Sequence, residues 1–327
     1  MSKPTINFYF RAPNPNNFSI ENLFGFLIGK HSLKYNCRKL YTKGQFDVKA
    51  IFKKAKADIH HVTGAVNYLV LGLPGKKTIL TVHDIGYYEN PIHTKFKRLI
   101  YGLIWFRLPL LRARYITVVS EFTKSKLIQN FDLKPNKIVV IPNPILNHFL
   151  TSKKKSLNEN IKILQIGTGA HKNLLKLINA VADLNVHILI VGSPSQKEID
   201  LMKSYNVQYE IFKGISNEEV YQKYVESDIL FFASLYEGFG MPIIEAQKVG
   251  RPVITSNFGA MKEVADDSAI LVNPQNDIEI RNAIIKLMTD KAFYDEMVER
   301  GLNNVKRFEP DVIVNKYQAL YEEISKH

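Results

Sequence analysis

The apolar run Asp228-Ile-Leu-Phe-Phe-Ala233 passes directly into Ser234-Leu-Tyr-Glu-Gly-Phe-Gly-Met-Pro-Ile-Ile-Glu-Ala-Gln247. Few architectures accommodate that order. The run reads as a buried strand, Gly238 and Gly240 as a turn, and Pro242 as the opening of a helix whose apolar face continues through Ile243 and Ile244. A strand turning through glycines into a helix is the repeating unit of a parallel α/β sheet. It is also where anions bind, because glycine lets the backbone approach a ligand and the first amides of the helix present their positive end there. Glu237 and Glu245 bracket the turn, one just before the glycines and one about a helical turn in, so both reach toward one bound molecule. Acids in such positions also stabilise a helix dipole by ~0.3–1 kcal/mol with no ligand at all. The carboxyl end of an apolar strand, where open α/β sheets place ligands, favours the ligand reading.

The same alternation runs along the chain. Residues 4–10 read as a first strand, and the runs 58–63, 77–82, 115–119 and 137–141 as further buried strands separated by helical segments. The stretch 30–56 is basic and carries no clear period. Residues 151–160 are polar and aperiodic and mark a linker. A second series follows, with strands expected at 161–166, 187–191, 207–212, 228–232, 252–255 and 269–272, and a last amphipathic helix at 311–325. Each half thus reads as a doubly wound α/β domain, and 327 residues suit two domains of roughly 150. The expected division is 1–150, 151–310 and a terminal segment 311–327.

Charge separates the halves. Residues 1–150 hold 23 Lys and Arg against 7 Asp and Glu, a net +16, whereas 151–327 are at −3. A basic half points to a polyanionic partner such as anionic lipid or nucleic acid, although surplus lysine also serves plain solubility. Between Asn90 and Ser120 there is no acid, and Lys95, Lys97, Arg98, Arg107, Arg112 and Arg114 lie among Phe96, Leu99, Leu103, Trp105 and Phe106. That composition suits a helix lying on an anionic membrane, with Trp105 beneath the headgroups; an ordinary core helix with its cations in water is the alternative. No run reaches the ~18 uncharged residues of a membrane span, and the N-terminus does not read as a signal sequence, so a cytoplasmic protein is expected. One cysteine, Cys37, excludes an internal disulfide.

Two further places invite chemistry. The turn Gly167-Thr-Gly-Ala-His-Lys-Asn173 follows a strand; Gly167 and Gly169 allow close approach, and Lys172 adds a cation for a phosphate. It lacks the third glycine of a dinucleotide fingerprint and the Gly-Lys-Ser/Thr of a P-loop, which disfavours nicotinamide or ATP-hydrolysing chemistry. His83-Asp84 closes the strand 77–82, where His83 suits a sugar hydroxyl or phosphate and Asp84 a polar ligand or its own loop. His60 and His61 lie within a strand and read as structural. No cluster of metal-ligand type is present, so no metal is expected.

Glu237 and Glu245, with seven residues between them within Glu-Gly-Phe-Gly-Met-Pro-Ile-Ile-Glu-Ala, together with Thr81-Val-His-Asp84, Thr117-Val-Val-Ser-Glu-Phe-Thr-Lys124, Ile138-Val-Val-Ile-Pro-Asn143, the turn 167–173, Arg251-Pro-Val-Ile254, Glu263-Val264 and Asn273-Pro274, occur in a familiar order. Over nearly its whole length the chain resembles the retaining nucleotide-sugar glycosyltransferases of family 4. The resemblance implies the GT-B fold, two Rossmann-like domains facing a cleft, with the donor held by the C-terminal domain and the acceptor by the basic N-terminal one. It implies that Glu245 bonds the ribose hydroxyls, that Glu237 lies by the transferred sugar, and that Gly238, Phe239, Gly240 and Met241 offer backbone amides. Gly167, Thr168, Gly169 and His171 would line the donor turn, Lys172 would neutralise the departing diphosphate, Gly214 and Ile215 would border the base, and His83 would contact the sugar from the opposite wall. The last helix would return to the N-terminal domain.

Two departures stand out. His171 occupies the place where many relatives carry an arginine beside the lysine, and Ala12 to Asn17 replace a glycine pair after the first strand. The expected reaction is a metal-independent, cofactor-free transfer from a nucleotide-diphosphate sugar to a glycan or glycolipid acceptor at the inner face of the membrane, with no nucleic acid partner. A soluble acceptor, and a non-catalytic GT-B-like binding protein using its basic half, are the competing readings.

Overall fold

The computed structural model describes residues 3–12, 19–44, 46–52, 55–89, 94–152 and 160–326. It divides into two compact units, Met1–Pro144 with Pro310–His327, and Ile145–Glu309. The first division falls ahead of the polar stretch 151–160, and residues 153–159 of that stretch lie outside the described residues.

In the first unit, strands β1 (Thr5–Phe10), β2 (Asn36–Tyr41), β3 (Ile59–Val62), β4 (Thr78–Val82), β5 (Tyr115–Val118) and β6 (Ile138–Val140) form a parallel sheet in the order β2-β1-β3-β4-β5-β6. β3 and β4 are buried along their whole length, as strands covered on both faces must be. β2 lies in the stretch that showed no period. It is an edge strand whose residues are exposed or half-buried, so neither face demanded an apolar pattern.

The helix Pro310–Ser325 belongs to this unit. Its Ile313, Tyr317, Leu320 and Tyr321 pack with Phe8, Phe24 and Leu27. A polar chain runs through the same core: His61 bonds the Tyr321 hydroxyl through Nδ1 (2.8 Å) and Thr81 Oγ1 through Nε2 (2.7 Å), and Thr81 bonds Thr117 (2.7 Å). Burial, reinforced by the neighbouring His31 and His83, pushes the His61 pKa down to about 3, so the ring is neutral and serves structure, as its place in a strand suggested.

The second unit holds β7 (Ile161–Ile166), β8 (Val186–Val191), β9 (Gln208–Phe212), β10 (Ile229–Phe232), β11 (Val253–Ser256) and β12 (Ile270–Val272), all parallel, in the order β12-β11-β10-β7-β8-β9. Its core joins Ile163, Ile188, Ile229, Phe231 and Ile254 to helix residues such as Leu177 and Ile284. This is the doubly wound order in which winding reverses between the first and fourth strands, here β7 and β10. Phe231 pairs with Gln165 across that reversal.

Removing the Tyr321 hydroxyl leaves a buried imidazole nitrogen without a partner. Tyr321→Phe is expected to lower the free energy of urea unfolding by about 1–3 kcal/mol; an unchanged unfolding curve would show that the His61 chain does not fix the terminal helix.

Candidate active site

At the reversal in the second unit, the loop after β7 and the loop after β10 emerge at the same edge of the sheet. The loop after β7 passes through Gly167 and the short 3-10 turn Ala170–Lys172 to Asn173, which opens the helix Leu174–Ala180. Gly167 has a φ of +83°, and a Cβ there would meet the Lys172 side chain at 3.1 Å, so glycine is what lets the lysine lie across the backbone. The loop after β10 ends at Gly240, whose φ of +108° starts the helix Met241–Val249 with Pro242 in its first turn. Phe239 is buried edge-on against Phe308 at 5.6 Å, which anchors the turn from below.

Several bonds tie these loops together. The Leu235 amide donates to the His171 carbonyl at 2.7 Å. Gln165 donates from Nε2 to the carbonyls of Gly167 (3.0 Å) and Lys172 (3.1 Å). Asn173 takes a left-handed backbone, φ +66°, and its side-chain amide donates to Ala233 O (3.1 Å) and Pro274 O (2.6 Å), bringing in the loop after β12. Neither Gln165 nor Asn173 emerged from the sequence. Asparagine's tolerance of positive φ was the one local signal for Asn173.

Lys172 Nζ lies 2.5 Å from Glu237 Oε1, both side chains about four-fifths buried, and 4.8 Å from the centre of the Phe232 ring. The lysine expected to offer a cation to a phosphate is therefore ion-paired across the two loops. Glu245 is one turn into the helix and half-buried. Its Oε2 accepts from the hydroxyl of Tyr224 at 2.7 Å, and burial, opposed by that bond, raises its pKa to about 7. Tyr224 was missed because only tertiary contact brings its helix, Asn217–Glu226, beside Glu245. Gly214 and Ile215 sit in the turn before that helix, which Ser216 and Glu219 open with a capping box. Thr168 accepts from the Ser193 amide at 2.9 Å, fixing the turn to the end of β8.

In the first unit, His83 follows β4. Its Nε2 lies 2.9 Å from the Thr63 carbonyl; a carbonyl only accepts, so Nε2 carries the proton and Nδ1 keeps its lone pair. Burial lowers the His83 pKa and favours this neutral form. Asp84 accepts from the Gly86 amide at 2.8 Å and so orders its own loop.

The segment expected on a membrane is the helix Lys95–Tyr101, a π-helical turn Gly102–Arg107 and the helix Leu108–Arg112. The expectation for Trp105 is corrected. Its ring stacks on Tyr101 at 5.3 Å and lies 5.0 Å from Tyr68, and Phe106 is buried, so these aromatics serve the core. Arg112, itself exposed, donates to the carbonyls of Val70 and Leu73. The exposed large apolar residues of the segment are instead Phe96, Leu99, Ile100, Leu103, Leu108 and Leu111, beside an exposed Arg107. Arg98 lies over the Tyr88 ring, and the side chains of Lys95 and Lys97 are outside the described residues. Among the described residues no helix is long and apolar enough to cross a membrane.

The chain is similar to known proteins. The model described as Glycosyl transferases group 1 matches residues 149–304, and that described as Glycosyltransferase Family 4 matches residues 15–145. The O-antigen chain mannosyltransferase B of Escherichia coli is 26% identical over 255 residues, covering 71% of this chain and about two thirds (67%) of that protein. Sucrose-phosphate synthase from Thermosynechococcus elongatus superposes with a TM-score of 0.79 at 17% identity, over 98% of this chain and 99% of that one. Anabaena HepE, solved with UDP-glucose, gives 0.76 at 15% identity, over 98% and 100%. At these identities the superpositions speak to the fold.

The raised Glu245 pKa bears on stability. Between about pH 4.5 and 7 the unfolded chain gives up this proton while the folded chain keeps it, so stability falls as pH rises through that window and levels off above it. Glu245→Gln removes the slope. The variant is expected to match the wild type near pH 4.5 and to exceed it at about pH 8, by on the order of 2 kcal/mol after discounting for partial exposure. Equal thermal stability at the higher pH would contradict the assignment.

Proposed function

The chain belongs to the family 4 glycosyltransferases of GT-B fold, and we propose that it moves a sugar, with retention of configuration and without a metal, from a nucleotide-diphosphate sugar to a hydroxyl of a lipid-linked or cell-surface glycan. The observation that carries this reading is the Lys172–Glu237 pair at the strand reversal, flanked by the amides at the start of the helix Met241–Val249. A diphosphate there meets one cation and a helix N-terminus, which together neutralise the charge that grows as the sugar leaves. Glu245 receives the ribose hydroxyls, Glu237 stands by the transferred sugar, and Gly214 and Ile215 border the base. In the first unit, His83 presents Nδ1 as an acceptor suited to a sugar hydroxyl.

For the reaction, we propose front-face transfer. The bond from the anomeric carbon to the diphosphate oxygen breaks, the acceptor oxygen bonds to that carbon on the same face, and the departing phosphate oxygen takes the acceptor's proton. The products are the glycosylated acceptor and the nucleoside diphosphate, which carries that proton. Lys172 and the turn amides supply the electrostatic stabilisation. The glycan acceptor is proposed from the relation to the Escherichia coli O-antigen mannosyltransferase. Contact with an anionic bilayer, on the inner face of the membrane, is proposed from the exposed leucines and Phe96 beside Arg107 in an N-terminal half carrying +16.

Thermal-shift screening of UDP-, GDP- and ADP-sugars should single out one donor. With it, Lys172→Ala is expected to lower kcat by about 100-fold or more. Unchanged turnover would remove Lys172 from the mechanism, and stabilisation by none of the donors would favour a binding protein over an enzyme.

Flotation with vesicles containing anionic phospholipid tests the surface. The Leu99→Ser, Leu103→Ser, Arg107→Glu variant is expected to lose most of the wild-type binding, while equal flotation would leave a soluble acceptor as the better reading.

A further inference from the structure

Tyr224 is fully buried, edge-on to Phe149 at 5.6 Å, and its hydroxyl donates to Glu245 Oε2 at 2.7 Å. We propose that Tyr224 is a positioning residue for nucleotide recognition: its hydroxyl holds the Glu245 carboxyl group oriented to receive the ribose hydroxyls of the donor. This rests on the reading of Glu245 as the ribose-binding residue.

Three observations lead here. The phenol stays protonated, because burial and the adjacent Glu245 both raise its pKa, so it is a permanent donor. Among the described residues no side chain donates to Glu245 Oε1, which leaves that oxygen for the ligand. The charged groups on the surrounding elements are turned elsewhere: Arg251 bonds main-chain carbonyls, Lys248 pairs with Glu309, Lys172 with Glu237 and Lys223 with Glu226. Among the described residues Tyr224 is thus the group that opposes the burial raising the Glu245 pKa to about 7. Without it burial acts unopposed, the acid's pKa rises further, and the charge-assisted bonds that an ionised carboxylate accepts weaken.

A residue that merely fills the core and one that tunes Glu245 are separated by a readout confined to the ribose. UDP, GDP and ADP are each compared by calorimetry with their 2′,3′-dideoxy counterparts, from about pH 5.5 to about pH 9. Titration of the terminal phosphate is common to both ligands and cancels in the ratio of affinities. For the best-bound nucleotide, the wild type is expected to prefer the ribose form by at least about tenfold above pH 7, with the preference declining as pH falls through the Glu245 titration. Tyr224→Phe, which deletes one oxygen, is expected to cut the preference about fivefold at pH 7.5 and to move its midpoint to higher pH. Glu245→Asp keeps the charge but shortens the reach to the hydroxyl, and should lose the preference similarly. If Tyr224→Phe keeps both the ratio and its midpoint while Glu245→Gln abolishes the preference, Tyr224 is only structural and this proposal fails. If Glu245→Gln itself keeps the wild-type ratio and pH dependence, the ribose reading of Glu245 fails with it.

Discussion

Parallel strands send their following loops to the same edge of the sheet, and where the winding reverses those loops part and leave a crevice. In the second unit the reversal is fixed by β10 lying against β7 with Phe231 opposite Gln165. That register puts residues some sixty apart in sequence at one point. It lets the Leu235 amide meet the His171 carbonyl, Asn173 reach Ala233 and Pro274, and Lys172 reach Glu237. A slip of one residue would turn the alternate side chains of β10 to the other face and separate all of these partners.

The charges at this point are balanced before any ligand arrives. Lys172 is matched by Glu237, and Glu245 is held near half-ionisation. A buried carboxylate beside an incoming diphosphate would repel it, so neutral pairing lowers the cost of bringing the two together. The same arrangement weakens the empty protein above neutral pH, since Glu245 ionises more readily in the unfolded chain. The ligand-binding edge is therefore where the unit gives up stability, a common trade in sites that must hold charge out of water.

The alternating architecture was legible because covered parallel strands are continuous apolar runs, as β4 and β10 are. The two glycine turns were legible as strand-to-helix junctions because glycine admits the positive φ found at Gly167 and Gly240, and the order of the motifs around Glu237 and Glu245 pointed to the family. What failed did so for want of a local signal. β2 is an edge strand with Arg38 and Lys39 in it, so its burial has no period. Trp105 lies among cations, and composition alone suits it to a membrane; the π-helical turn and its neighbours Tyr68 and Tyr101 draw the ring inward. Tyr224 is one aromatic on an amphipathic helix, and its function arises from what packs against it.

Arg251 shows how such a tertiary contact is held. The residue is fully buried and makes no ion pair among the described residues. Its guanidinium donates to the carbonyls of Tyr224, Val225 and Ser227 at the end of one helix, of Val249 and Gly250 at the end of another, and of Ser152. Both helices present their negative ends to it, so the cation is compensated by aligned carbonyls instead of a carboxylate. A lysine, with three donors and no planar fork, could not serve this set. Because Arg251 fixes the C-terminal ends of Asn217–Glu226 and Met241–Val249 to one another, it fixes the separation of Tyr224 and Glu245, which those helices carry. The Arg-Pro-Val-Ile stretch thus acts on the site without touching it, by setting how two helices end.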